Sequence, residues 1–244
     1  MRAALLIASL LAGAPPAGWT PDVGAAAAFA ARRAGDVSFH VRTERGLWSH
    51  DADRSFASAS VVKAMLMAAY INRPEVRKRA LRAADRRLLG PMIRRSDNAA
   101  ASRVRDIVGN DTLARLAARA GMTRFVTNPV WGLTRITARD QTRLWLHFES
   151  FVARRHRETA LQLLGSIVPR QRWGFGRLRL PAGWQLHFKG GWGSGRGLVD
   201  HQVALLRRGD ERVAIAILTS GSPSHRYAKQ TLRGVAERLL EDLN

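Results

Sequence analysis

Ser60 and Lys63 have the residue types and the spacing of a nucleophile and its base. A serine hydroxyl is a weak nucleophile unless a base lies beside it. Residues three apart share one face of a helix, so a helix that opens at Ser60 would place Lys63 near the hydroxyl. A lysine can act as a base where its pKa is lowered by burial or by a nearby positive charge, whereas arginine stays charged. The pair therefore indicates nucleophilic catalysis by Ser60.

Two further segments carry polar groups in an order that fits this chemistry. Ser96-Asp97-Asn98 offers a second hydroxyl and an amide, and Lys189-Gly190-Gly191 offers a second lysine. Only four of the 40 Lys and Arg residues are lysines, and two of the four lie in these motifs. Such a distribution indicates that positions 63 and 189 need lysine itself. Each segment alone could be a solvated helix edge, but the three together favour a catalytic site.

Composition limits the class of protein. A chain of 244 residues that is 46% hydrophobic can form one domain, or two packed lobes, around a sizeable core. The net charge of +21 comes from arginines spread over several segments. Such a charge is typical of a protein that contacts nucleic acid, an anionic membrane or an acidic polymer, but it is also what an arginine-rich genome alone would produce. If the charge has a partner, nonspecific contact with an anionic cell-wall polymer is the most economical one. No zinc-ligand or RNA-binding motif is present, so we expect no specific nucleic-acid partner. There is no cysteine, which excludes disulfides, and the seven histidines follow no metal spacing.

Residues 1–18 have the pattern of a bacterial-type signal peptide. Arg2 precedes an apolar run from Ala3 to Ala12, and small residues and prolines follow it. The run is too short to predict a membrane span, and no other stretch is apolar enough. We expect a secreted or cell-envelope protein, monomeric, whose functional domain is residues 19–244. A misassigned start or a lone apolar helix is the alternative.

Predicted strands lie at both ends of the chain, with helices between them. Five stretches read as strands: 36–43, 47–50, 184–189, 198–207 and 212–219. Residues 59–71 predict an apolar helix that is interrupted only by Lys63, so this helix should be central and buried. A basic helix is predicted over 75–89, ended by Gly90 and Pro91. The fold class is therefore α+β, with one antiparallel sheet from both chain ends and an inserted helical lobe at about 60–170. The motifs should meet where the lobes join.

From about Val37 to its C-terminus the chain resembles the class A β-lactamase-related serine hydrolases, within the penicillin-recognising superfamily. The motifs of these enzymes are S-x-x-K, S-D-N and K-T-G, in this order. The resemblance implies a β-lactamase/DD-peptidase-like fold and an enzyme without metal or organic cofactor. It implies that Ser60 is acylated, that Lys63 is its base, and that Ser96 relays a proton to the leaving group.

The same resemblance implies a set of substrate contacts. Asn98 would hold the substrate amide, and Lys189 would bind the substrate carboxylate. Gly191 and Trp192 would line the substrate site. The backbone N–H groups of Ser60 and Trp192 would form the oxyanion hole, which stabilises charge on the carbonyl oxygen.

Two departures from the family pattern bear on activity. Gly190 replaces the threonine of K-T-G and lacks its hydroxyl. The lactamases carry a loop glutamate that activates the deacylating water, but no Asp or Glu lies between Asp111 and Asp140. This loop instead contains Trp131, which should flank the cleft with Trp192. Slow deacylation is therefore predicted.

The sequence thus predicts a serine hydrolase or acyl-transfer enzyme. Its substrate would be a small molecule or a peptidoglycan-derived group: a β-lactam, or an amide or ester related to D-alanyl peptides. Two alternatives remain open. One is a true class A β-lactamase with another deacylating group, and the other is a non-turnover penicillin-binding or wall-binding module.

Overall fold

The computed structural model describes residues 19–194 and 197–243, so the predicted signal peptide lies outside the described residues. The helices are α1 (Val23–Ala31), α2 (Lys63–Ile71), α3 (Pro74–Arg77), α4 (Ala83–Arg94), α5 (Asn98–Arg119), α6 (Ala138–Leu146), α7 (Arg157–Gly165) and α8 (His225–Leu239). The strands are β1 (Asp36–Thr43), β2 (Leu47–His50), β3 (Phe56–Ala57), β4 (Arg135–Ile136), β5 (Gln185–Gly193), β6 (Val199–Arg208) and β7 (Glu211–Ser220).

The large sheet joins the two ends of the chain, as predicted. Its strand order is β2-β1-β7-β6-β5, and all neighbours are antiparallel. The central strand β7 is buried from Val213 to Thr219, because helices cover both of its faces. A strand covered on both faces is apolar along its length rather than alternating. Helix α8 packs on one face with α1, and α6 packs against β1 and β7.

The predicted central helix is present, but its first turn differs from the prediction. All nine residues of α2 are buried, including Lys63. The preceding turn, Ala59–Val62, is a 3₁₀ segment, so Ser60 lies just before the α-helix. Strand β5 extends beyond its predicted end, because Gly190 and Gly191 pair with β6 despite their low strand propensity.

The single helix predicted over 75–89 was wrong. Two helices are present, α3 and α4, and α4 continues through Gly90 and Pro91. The carboxylate of Asp85 accepts a hydrogen bond of 2.6 Å from the Arg82 backbone N–H, which fixes the start of α4. Met92 and Ile93 are buried, so packing holds the last turn of α4 despite the proline. The short pair β3–β4 was not predicted.

Candidate active site

Ser60 and Lys63 lie at the junction between α2 and the sheet. The backbone N–H of Lys63 donates to the carbonyl of Ser60, so the two residues are one turn apart. Ser60 is 7% exposed and Lys63 is fully buried. Ala59, the residue before the serine, has φ +43°, a left-handed conformation that costs energy for a residue with a Cβ. This turn directs the 3₁₀ segment towards β5.

Ser96 and Asn98 come to the same junction from the start of α5. Asp97 is the helix N-cap, and its Oδ1 accepts from the Ala100 N–H at 2.8 Å. Ser96 is buried with φ +58°, a second strained residue in contact with Lys63. The cap and the strained turn together orient Ser96 and Asn98 towards Lys63.

The Lys63 side chain makes three hydrogen bonds to this loop. Its Nζ donates to the Ser96 carbonyl at 2.6 Å and to Asn98 Oδ1 at 2.7 Å, and lies 3.3 Å from Ser96 Oγ. A neutral amine has two hydrogens and one lone pair. The two short bonds use both hydrogens, so the lone pair of a neutral Lys63 is left for a hydroxyl. The sequence predicted that Lys63 lies near the Ser60 hydroxyl, and in the structure its amine bonds to Ser96 and Asn98.

Lys189 reaches the same hydroxyl from β5. Its Nζ donates to Ser96 Oγ at 3.0 Å and to the Gly190 carbonyl at 2.7 Å. Lys189 is 1% exposed, so direct contact between its amine and a substrate carboxylate would require the site to open. Two lysines thus meet at one serine, and neither forms an ion pair with a carboxylate of a described residue.

The buried position of both lysines favours their neutral forms. Burial lowers the pKa of Lys63 to about 7, although the negative charge of Asp97 acts in the opposite direction. Burial, and then the positive charge of Lys63, lower the pKa of Lys189 well below its ordinary value. The site therefore provides a lysine that can accept a proton near neutral pH.

Gly191 allows β5 to contact the 3₁₀ turn that carries Ser60. A Cβ at this position would lie 2.7 Å from the Ser60 backbone N and 2.8 Å from that of Val61. Real Cβ atoms essentially never approach other atoms so closely. Glycine at 191 is therefore required for the backbone of β5 to lie beside Ser60.

The glycine at position 190 has a separate structural reason. A Cβ there would lie 2.9 Å from Cζ2 of Trp173, whose indole also packs edge-on against Trp192 at 6.3 Å between centroids. The Trp173 side chain thus occupies the space that a side chain at 190 would need. Sequence reasoning did not find this role of Trp173, since no motif connects it to β5.

A cleft of about 620 Å³ opens beside Ser60, and Trp131 and Trp192 both line it, as predicted. The lining also includes Asp36, Arg54, Asn98 and Asn128. Another cavity, of about 480 Å³, lies beside Trp19, Trp48 and Trp184 and contains none of the motif residues.

Among the described residues that line the cleft, every carboxylate already has a hydrogen-bonding partner. In the described part of the chain, one acidic residue lines the cleft, Asp36. Its carboxylate forms an ion pair with Arg54 at 2.6 Å. Asp140 accepts from the backbone N–H groups of Thr123 and Arg124. The Asn128 amide oxygen accepts from the Val130 N–H at 2.9 Å. Each of these polar groups is engaged in a local contact.

The sequence profile described as the beta-lactamase enzyme family matches residues 81–243, which is more than half of the chain. The chain belongs to the beta-lactamase enzyme family. It is a serine hydrolase related to the class A β-lactamases. The matched stretch contains Ser96, Asn98 and Lys189, and it begins after Ser60 and Lys63. The search of curated proteins found no match.

Solved β-lactamases have the same fold as this family member. A β-lactamase from Sphaerobacter thermophilus DSM 20745 has a TM-score of 0.78 at 22% identity, over 91% of this chain and 97% of the other. A class A β-lactamase from Bacteroides cellulosilyticus DSM 14838 has a TM-score of 0.75 at 13% identity, over 90% and 95%. A β-lactamase from Xanthomonas campestris pv. campestris str. ATCC 33913 has a TM-score of 0.75 at 16% identity, over 90% and 96%. At such identities the likeness shows the fold, which confirms the predicted β-lactamase-like α+β class.

Two buried histidines of this β-lactamase-family protein have structural roles. His201 Nε2 lies 2.9 Å from the Ala57 carbonyl, and its Nδ1 accepts from the Thr219 N–H. His187 Nδ1 lies 2.9 Å from the Leu161 carbonyl.

The described residues contain no group of three or more metal-ligating side chains. Within that part of the chain no helix has the length and apolarity of a membrane span.

Proposed function

We propose that this protein is an exported acyl-transfer enzyme that forms an acyl-enzyme at Ser60. Its substrates would be β-lactams, or amides and esters related to D-alanyl peptides. The observation that carries this proposal is the convergence of Lys63 and Lys189 on one hydroxyl, Ser96, beside the cleft that contains Ser60. Export rests on the pattern of residues 1–18, and the monomeric state remains an expectation.

The proposed acylation uses groups that the site brings together. Ser60 Oγ attacks the substrate carbonyl, and its proton passes to the lone pair of neutral Lys63. Ser96 donates its proton to the leaving nitrogen or oxygen and regains one from Lys63. The bond from Oγ to the carbonyl carbon forms, and the bond to the leaving group breaks. The amine of Lys189 donates a hydrogen bond to the Ser96 oxygen during this relay.

Backbone groups would stabilise the oxyanion. The N–H groups of Ser60 and Trp192 belong to two segments that touch at Gly191. Donors that are already fixed in a water-poor site stabilise the developing charge strongly, because they need no reorganisation. Asn98, which lines the cleft, would contact the substrate amide with its amino group, since its Oδ1 is bonded to Lys63.

Slow deacylation is part of the proposal. It is supported by the engaged state of Asp36 and Asp140 and by the absence of acidic residues between positions 111 and 140 in the sequence. Loss of a general base typically costs about 10²–10⁴ in rate. A true class A β-lactamase would instead turn over rapidly, and a non-turnover binding module would not be acylated.

The decisive experiment is intact-mass measurement after incubation with a penicillin. We expect one covalent adduct that persists for minutes, no adduct in Ser60→Ala, and acylation about 10²-fold slower in Lys63→Arg. The matched control is Lys78→Arg, at an exposed lysine that follows α3. Steady nitrocefin hydrolysis at many turnovers per second would identify a true lactamase, and an unlabelled wild type would reject the proposal.

Contact with anionic wall polymer is proposed from the net charge of +21. The binding should weaken steeply as salt rises, because bound counterions are released. If the affinity for a teichoic-acid-like polymer does not change with salt concentration, the contact is not a nonspecific electrostatic one.

A further inference from the structure

Trp131 touches the proposed base, although no motif indicated this contact. It lies in a 3₁₀ turn, Trp131–Leu133, within the segment that connects α5 to β4. The centre of its indole ring is 4.7 Å from Lys63 Nζ. The same side chain lines the cleft that contains Ser60. An aromatic side chain thus lies against the catalytic lysine on the side of the cleft formed by this loop.

Hydrogen bonds at both ends of the residue fix the position of Trp131. The indole Nε1 donates to Ser102 Oγ on α5 at 3.1 Å. Its carbonyl oxygen accepts from Ser58 Oγ at 3.2 Å, two residues before the nucleophile. The loop is closed behind it by the bridge between Val126 and Arg135. Rotation of the indole away from Lys63 therefore requires its hydrogen bond to Ser102 to break, while the other contacts hold the backbone of the loop.

We infer that Trp131 is a positioning residue that closes the loop side of the Ser60 ester to water and so sets the lifetime of the acyl-enzyme. This inference rests on the proposed function. Hydrolysis would require a water oxygen to bond to the acyl carbon while the bond from that carbon to Ser60 Oγ breaks. One water proton would return to Oγ and the other would leave with the acid.

The Trp131 side chain opposes this step in two ways. The indole has no lone pair that could activate water, and its single N–H is engaged with Ser102. The ring face attracts a cation, so it stabilises the charged form of Lys63. A charged Lys63 has three hydrogens and no lone pair, so it cannot take a proton from water.

The test compares the lifetime of the penicillin adduct in Trp131→Leu, Trp131→Phe and wild type. After excess penicillin is removed, loss of the adduct is followed by intact mass. We expect loss roughly tenfold faster in Trp131→Leu, because a closed site protects reactive intermediates from water. Trp131→Phe, which keeps a ring face, should retain a long-lived adduct. The matched control is Trp48→Leu. Trp48 lies in β2, at the edge of the sheet opposite β5, so this variant should keep the wild-type adduct lifetime.

If Trp131 had a purely structural role, its replacement would lower stability and would not change hydrolysis of the acyl-enzyme separately from acylation. We therefore also measure acylation against pH, where Trp131→Leu should shift the profile to lower pH, since the neutral lysine becomes easier to form. If Trp131→Leu does not fold, Ser102→Ala replaces it, since freeing the indole should also shorten the lifetime. A wild-type lifetime in the folded variant overturns the inference alone. An unlabelled wild type instead rejects the proposed function itself.

Discussion

Replacement of Gly191 by alanine would test whether contact between β5 and the 3₁₀ turn that carries Ser60 is required for acylation. The new Cβ would lie 2.7 Å from the Ser60 N and 2.8 Å from the Val61 N, whereas ordinary contacts begin near 3.4 Å. Both obstacles are backbone atoms, so β5 or the 3₁₀ segment must move by several tenths of an ångström. Misplacement of catalytic groups by about 1 Å can cost about 10²-fold in rate. We expect acylation of Ser60 to fall by a factor approaching roughly 10².

The same substitution should have only a moderate effect on stability. Overpacking costs about 1–3 kcal/mol, which lowers Tm by roughly 2–4 °C per kcal/mol in a domain of this size. The assay is the rate of penicillin labelling by intact mass, together with a thermal melt. Gly90→Ala is the control, because a Cβ there meets nothing within 4 Å. Wild-type labelling by Gly191→Ala would refute the reasoning.

Two further predictions concern the titrating and charged groups. The rate of acylation should rise with pH through about 7, because only neutral Lys63 accepts a proton and its pKa is lowered to about 7. A penicillin-labelling rate that stays constant from about pH 5.5 to about pH 8.5 would contradict this. In urea denaturation, Asp85→Asn should destabilise the fold by about 1.5–3 kcal/mol, because the buried carboxylate accepts hydrogen bonds from the Tyr70 hydroxyl and the Arg82 N–H that a neutral amide makes more weakly. The exposed Asp106→Asn should cost less than about 1 kcal/mol in the same urea titration.

Sequence pattern was sufficient for the sheet and for the central helix. Alternating polarity marked β1, although residues 37–41 are all buried, including Ser38 and His40. The apolar run after Ser60 marked α2, which is buried along its whole length. The prediction failed over 75–94, where Gly90 and Pro91 lie inside α4. There the bond from Asp85 to the Arg82 N–H and the burial of the last turn outweigh local propensity.

The motifs predicted which residue types lie together at the candidate site, but not the contacts that these residues make. Motif order identified Ser60, Lys63 and Ser96 as a group. The partners of the Lys63 amine depend on loops distant in sequence, and Trp131 is such a partner. No periodicity encodes a contact across this many residues, so the ring above the lysine could be found only in the folded chain.

The glycine that departs from the family motif is coupled to Trp173, and this coupling is measurable. A threonine at 190 would place its Cβ 2.9 Å from the Trp173 indole. The backbone carbonyl of Trp173 accepts a hydrogen bond of 2.6 Å from Gln202 Nε2. Gly190→Thr alone should therefore cost about 1–3 kcal/mol through overpacking. In Gly190→Thr with Trp173→Ala the threonine has room, so the double variant should lose less stability than the two single losses combined, by about 0.5–3 kcal/mol. Urea denaturation of the four proteins gives this interaction energy. Strictly additive losses would show that the indole does not determine which side chain position 190 accepts.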